Sequence, residues 1–165
     1  MKVICNSSVL IALSAIGQLG LLDKRFPEGV LVPQGVWHEV VETGRGQPGA
    51  DEVAGAGYLT VREAADRDFV ALLRMDLDQG EAEAIALCRQ MGAGLILLDE
   101  KDARRVAQHL GIETLGTVGL LIWAKQNGLI VSLQEQLDAL QNKGRFRLGR
   151  AVYEQALRTV GERAL

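Results

Sequence analysis

Apolar residues recur along this chain at two spacings. Short unbroken runs, VIC at 3–5, GVLVP at 29–33, YLTV at 58–61, LILL at 95–98 and a weaker one near 113–115, predict strands. Between them the spacing becomes helical. One helix opens at SSVLIALSAIG, with Ser7 or Ser8 able to cap it. Residues 34–43 place Val36, Trp37, Val40 and Val41 on one stripe. Further helices are predicted over 66–75, 79–91, 101–110, 117–127 and 151–163. Another opens at Ser132, where Glu135 completes a capping-box pattern. GRGQPGADEVAGAG reads as a loop or a weak short helix. Strands alternating with helices predict a three-layer α/β/α sandwich around a mainly parallel central sheet, in one domain without repeats or linkers.

Composition narrows the picture. A chain of 165 residues suits one domain with a sizeable core, and with 48% apolar but only 4% aromatic residues that core is aliphatic. The net charge of −3 excludes a basic nucleic-acid coat, so any nucleic-acid contact must come from a local patch. No apolar run reaches the roughly 20 residues of a membrane helix. The apolar start is broken by Asn6, Ser7 and Ser8, which favours a strand plus helix over a signal peptide. Cys5 and Cys88 lie inside apolar patterns and read as buried hydrophobes in a reducing compartment, the cytoplasm. Two histidines are too few for a Cys/His zinc site. GRGQPG has the letters of a dinucleotide fingerprint, but it follows a helix and contains Pro48, so it reads as a loop.

The acids carry the candidate chemistry. In an open parallel sheet, ligands bind outside the carboxyl ends of the strands, and right-handed crossovers put those ends on one edge. Asn6 follows the first strand; Asp99, Glu100 and Asp102 follow LILL. Glu39 lies among Val36, Val40 and Val41, near the buried stripe, while Glu42 reads as solvated. Glu81, Ile85 and Cys88 share a helix face, so Glu81 is expected inward and Glu83 outward. Each acid also has a structural reading: Asp78 and Glu81 as a capping pair, Asp99 as an N-cap with Asp102 behind it, Glu39 as an exposed helix residue. Should Glu39, Glu81 and Asp99 converge, their repulsion calls for a cation. Oxygen ligands without thiolate or imidazole select Mg²⁺ or Mn²⁺, the usual ions of phosphoryl chemistry.

NSSVLIAL, VPQGVWHEVVE, LDQGEAEAIALC, LILLDEKDARRVAQHLG and LGTVGLLIWAKQNGLI, in that order and spacing, resemble the PIN-domain family. The likeness is to its compact prokaryotic PIN-like branch, related to toxin–antitoxin ribonucleases. It covers a core at 1–130, leaving 131–165 as a C-terminal helical extension. The resemblance implies a Mg²⁺- or Mn²⁺-dependent endoribonuclease, hydrolysing RNA phosphodiester bonds with a metal-activated water. It also implies a toxin held in check by a small cognate antitoxin. The family's four acids fall on Asn6, Glu39, Glu81 and Asp99, or Glu100 if the alignment slips by one. The implied catalytic set is thus Glu39, Glu81 and Asp99, and the implied metal set Asn6, Glu39, Glu81, Asp99, Glu100 and Asp102.

Asn6 is the departure, because an amide oxygen can ligate a cation but brings no charge. It opens the alternative of a weakened PIN-like domain that binds RNA or protein. A third reading is an unrelated α/β phosphotransfer module. Lys143, Arg145, Arg147 and Arg150 around Phe146 either grip RNA or form a solvated connector with Phe146 docked in the core; the connector is preferred. Arg104 and Arg105 either line the cleft rim for RNA or solvate their helix. The nearly all-apolar segment 119–123 is either deeply buried or the face of a homodimer.

Overall fold

The computed structural model describes residues 1–144 and 146–163. Its elements in chain order are β1 (Val3–Cys5), α1 (Ser7–Ala15), α2 (Leu21–Arg25), β2 (Val30–Pro33), α3 (Gln34–Trp37), a π-helical turn (His38–Thr43), α4 (Ala50–Ala54) and β3 (Leu59–Arg62). There follow α5 (Arg67–Leu73), α6 (Gln79–Met91), β4 (Leu95–Leu97), α7 (Lys101–His109), β5 (Glu113–Leu115), α8 (Thr117–Gln126), α9 (Leu133–Asn142) and α10 (Arg150–Thr159). The strands form one sheet in the order β3-β2-β1-β4-β5, with every pair parallel. The protein is therefore the α/β/α sandwich its patterning predicts.

The two-residue period of the strands divides the core. Val3, Cys5, Val30, Val32, Leu95 and Leu97 face a layer that includes α1, α2, α8, α9 and α10. Ile4, Ile96 and Leu98 face α5, α6 and α7 on the other side. Helix α6 is buried on all sides from Gly80 to Cys88, wedged between the sheet and its helical neighbours, and Ala82, Ala84 and Ala86 let them approach closely. Hence Glu83, expected outward, is only 3% exposed.

Other departures are local. Helix α2, over LLDKR, is a single turn too short to show a helical period. The predicted helix over 34–43 is two pieces, because its second half winds with i→i+5 bonds. The N-cap position of α1 belongs to Asn6 rather than to either serine, and the Asn6 side chain makes no capping bond. Leu120, Leu121 and Ala124 of α8 are buried, whereas Ile122 and Trp123 are only half-buried.

The C-terminal helices close the same core. Ser132 Oγ accepts the Glu135 N–H at 3.1 Å. Glu162, beyond α10, accepts the backbone N–H groups of Leu133 at 2.7 Å and Gln134 at 3.1 Å, and Lys125 Nζ lies 3.4 Å away. Among the described residues no helix is long and apolar enough to cross a membrane.

Candidate active site at the switch point of the sheet

Strand β1 is central, and the chain winds outward from it in both directions, so β1 and β4 flank the crevice where open parallel sheets take ligands. Cys5 pairs with Leu97, and the Asn6 N–H donates to the Leu97 carbonyl at 3.0 Å. Asn6 and the residues after β4 therefore leave the sheet side by side. Asn6 is 3% exposed and its Oδ1 has no hydrogen-bond partner. An N-cap side chain ordinarily accepts an N–H of the first turn; this one does not. Gly80, in the first turn of α6, lies against it. A Cβ there would sit 3.3 Å from Asn6 Oδ1 and 3.6 Å from Asp78 Oδ1.

Asp99 ties β4 to α8. One carboxylate oxygen accepts the Thr117 N–H at 2.8 Å and the other accepts the Thr117 hydroxyl at 2.8 Å. Asp99 is thus not the N-cap of α7; that position is held by Glu100, which makes no side-chain capping bond. Burial raises the Asp99 pKa above its ordinary value, against the opposing pull of Thr117 and of the Arg104 charge. Ser8 Oγ is also buried without a hydrogen bond of normal geometry, and it adds only a small stabilisation of the Asp99 charge.

Glu81 is 7% exposed. Its Oε1 accepts the Asp78 N–H at 3.1 Å, and Asp78 Oδ1 accepts the Glu81 N–H at 2.8 Å, a complete capping box. Burial raises its pKa, the Asp78 N–H pulls it back, and the charges of Asp78, Glu100 and Asp102 push it further up. The structural role expected of Glu81 holds, and it coexists with a crowded acidic surrounding.

Glu39 takes the exposed helix position of its structural reading and not the place near the buried stripe. The wider π-helical turn breaks the 3.6-residue phase, and Glu39 is exposed. It lines a cleft of about 670 Å³ together with Glu42, Glu63, Glu83, Arg67 and Gly80. Glu83, which sequence reasoning set aside, forms the buried wall of that cleft. It accepts the Gly35 N–H at 3.2 Å and Gln79 Nε2 at 2.9 Å, and Arg67 lies 3.8 Å away. A side chain at Gly35 would displace the Glu83 carboxylate from its hydrogen bonds to the Gly35 N–H and Gln79.

Among the described residues no three Asp, Glu, His or Cys side chains gather closely enough to hold a metal ion. Glu39, Glu81 and Asp99 thus do not form one all-carboxylate group. One physical reason is visible, the π-helical turn that carries Glu39 into the neighbouring cleft, and the residue that ends β1 adds no acid because it is a neutral amide. The switch point still presents oxygen donors alone, the unpartnered Asn6 Oδ1 and the carboxyls of Glu81 and Asp99, with Glu100 and Asp102 close enough to act on Glu81. In donor type this set fits a hard divalent cation.

Of the basic candidates, Arg104 is near. A Cβ on Gly116 would stand 2.8 Å from Arg104 Nη1 and 3.0 Å from Asp99 Oδ1. Lys143 and Arg147 are exposed on the segment around Gly144, which borders Ala15 at the far end of α1. The nine residues of α1 put that segment about 14 Å along the helix axis from Asn6. Phe146 packs against the core, as the connector reading has it. Arg145 lies outside the described residues. Cys5 and Cys88 are buried free thiols, and burial pushes Cys88 up to about 12.

No curated protein and no solved structure matches the sequence. The family model of the PIN domain (DUF3368) matches residues 2–162, from the start of the chain to beyond α10. PIN domains are a nuclease-type fold whose members typically use divalent metals. With the parallel sheet, the polar strand ends and a match over nearly the whole sequence in agreement, the chain belongs to the PIN-domain family.

Proposed function

We propose that the protein is a Mg²⁺- or Mn²⁺-dependent endoribonuclease, the toxin component of a toxin–antitoxin module. The observation that carries the reading is the buried, unpartnered Asn6 Oδ1 at the switch point, with Gly80, the residue before Glu81, packed against it and Asp99 following the adjacent strand β4. Asn6, Glu81 and Asp99 would hold the ion, with Glu100 and Asp102 adding negative charge around it. A divalent ion supplies charge neutralisation at the phosphate and makes water a better nucleophile near neutral pH. The chain's own groups do the rest. Thr117 fixes the orientation of Asp99 through two hydrogen bonds. The raised pKa values of Glu81 and Asp99 bring a carboxyl closer to the range in which it exchanges protons at working pH. Arg104 offers a cation to the phosphate. Glu39 lines the same cleft as Gly80 and is exposed, so its side chain has room to turn towards the ion.

The test is a labelled single-stranded RNA incubated with the protein in Mg²⁺, Mn²⁺ or EDTA. Cleavage should require the ion and disappear in Asp99→Asn and Glu81→Gln. Cleavage in EDTA, or equal cleavage by the variants, overturns the reading. Growth arrest on expression, relieved by a small co-expressed antitoxin, tests the toxin assignment.

Asn6 and the lack of a three-acid group among the described residues favour a second reading, a PIN domain that binds RNA or a protein without cutting. In that case the parent leaves RNA intact with either ion, and Asn6→Asp creates cleavage.

A further inference from the structure

Two recesses of opposite charge flank the switch point. The cleft beside the π-helical turn is walled by Glu39, Glu42, Glu63 and Glu83 against a single arginine, Arg67. On the β5 side lies a recess of about 460 Å³ lined by Asp99, Lys101, Arg104, Arg105 and Gln108. The last four are one helical stripe, at i, i+3, i+4 and i+7 of α7, leading away from Asp99. Arg105 is already paired with Asp102 at 2.5 Å, whereas Lys101 and Arg104 make no ion pair among the described residues. Gly116 supplies the space: any Cβ there would press on both Arg104 Nη1 and Asp99 Oδ1. The guanidinium is therefore held beside the carboxylate without being committed to a close salt bridge.

We propose that this recess is a subsite for RNA backbone phosphate, and that the single strand runs from the switch point along the Lys101–Arg104 face of α7. A polyanion entering from the other side would meet four carboxylates; entering over α7 it meets cations. With a net charge of −3, the protein must gain such affinity from a local array, and this one adjoins the candidate site. Arg104 presents a planar fork suited to a phosphate, and Lys101 a point charge at the mouth. Arg104 then serves both sides of the boundary, holding phosphate while its charge opposes the rise in the Asp99 pKa. The proposal rests on the nuclease reading for the identity of the polymer, but it concerns binding.

It is tested by anisotropy of a labelled single-stranded RNA in EDTA, where binding is read without cleavage. Lys101→Ala/Arg104→Ala should weaken binding at least ten-fold. The same change should reduce the slope of log K against log salt by about 0.7 for each phosphate it leaves without a cation. Arg104→Lys, which keeps the charge and loses the fork, should fall between parent and double variant. Lys143→Ala/Arg147→Ala, at the far end of α1, should stay within two-fold. Unchanged melting temperatures show that the variants fold. The proposal is overturned if the parent does not bind RNA, if the double variant binds as the parent does, or if the far-end variant weakens binding equally. Absence of cleavage in Mn²⁺ with this binding pattern intact would defeat the nuclease reading alone.

Discussion

Helix α8 has a carboxylate at each end, and the two behave oppositely. At its first residue, Thr117 donates twice to Asp99, yet burial outweighs those bonds and the Asp99 pKa is raised. Near its last turn, Lys125 faces Glu162, which also receives two N–H groups from the open end of α9. Burial pushes Glu162 up, but those donors and the lysine more than reverse it, and its pKa is lowered. The difference lies in the balance between desolvation and donors, not in whether hydrogen bonds exist. Glu162 is an acid whose charge the fold wants. Asp99 and Glu81 are acids whose charge the fold tolerates at a cost, and such groups concentrate where function is set against stability.

The sharpest way to break this comparison is Asp99→Asn. An amide keeps an acceptor for the Thr117 N–H and removes the charge that burial penalises. Cleavage should fall at least about 100-fold, while the melting temperature at neutral pH stays level or rises. A variant that loses stability and activity together would make Asp99 a structural acid after all. Asn6→Asp runs the same logic in reverse, because it adds a buried charge at the switch point, across Gly80 from Asp78. In EDTA it should cost about 2–3 kcal/mol, and Mn²⁺ should recover most of that. Equal melting with and without the ion would show that the switch point attracts no cation.

The same balance explains what could be read from the chain. That Asn6 and Asp99 lie on the same edge of the sheet followed from hydrophobic runs and the single hand of parallel crossovers, whereas the adjacency of β1 and β4 comes only from the strand order. The span of α6 was legible to the residue because Asp78 and Met91–Gly92 mark its ends. For Glu39 the chain left two positions open, near the buried stripe or exposed, because a π-helical turn changes the phase of the side chains without changing which residues are apolar. Glu83 was misplaced because one helix period describes one buried face, and α6 has neighbours all round. That Asn6 Oδ1 is left without a partner depends on what every surrounding element presents to it in three dimensions, and it has no sequence signal.

At the other end of α8, Glu162→Gln removes the charge from two backbone donors and a lysine. The expected loss is about 1–2 kcal/mol, or several degrees in the melting temperature of a chain this size, with RNA cleavage per folded molecule unchanged. Its pH dependence should oppose that of the site. A lowered folded pKa means that Glu162 stabilises the protein above its ordinary value of 4.5 and loses that contribution as pH falls through the folded value. The gap between parent and Glu162→Gln should therefore close in acid. Asp99 has a raised folded pKa, so the parent loses stability relative to Asp99→Asn as pH climbs from the ordinary value of 3.8 through the folded one. That gap should open on going from acid to neutral pH. Thermal melts of the three proteins across this range read both signs, and parallel curves would erase the distinction between the two acids.

The smallest expected effect isolates what the comparison depends on. Glu154 accepts from Arg150 Nε at 3.0 Å, much the same length as the bonds to Asp99 and Glu162. Both side chains are exposed, one on each side of a single turn of α10, so water screens the pair and competes for every donor. Glu154→Ala should cost no more than about 0.5 kcal/mol, read from thermal melts at neutral pH. A larger loss would mean that bond length alone grades these acids and would remove the grounds for separating Asp99 from Glu162. A small one leaves desolvation as the quantity that divides the anchoring carboxylate from those at the switch point.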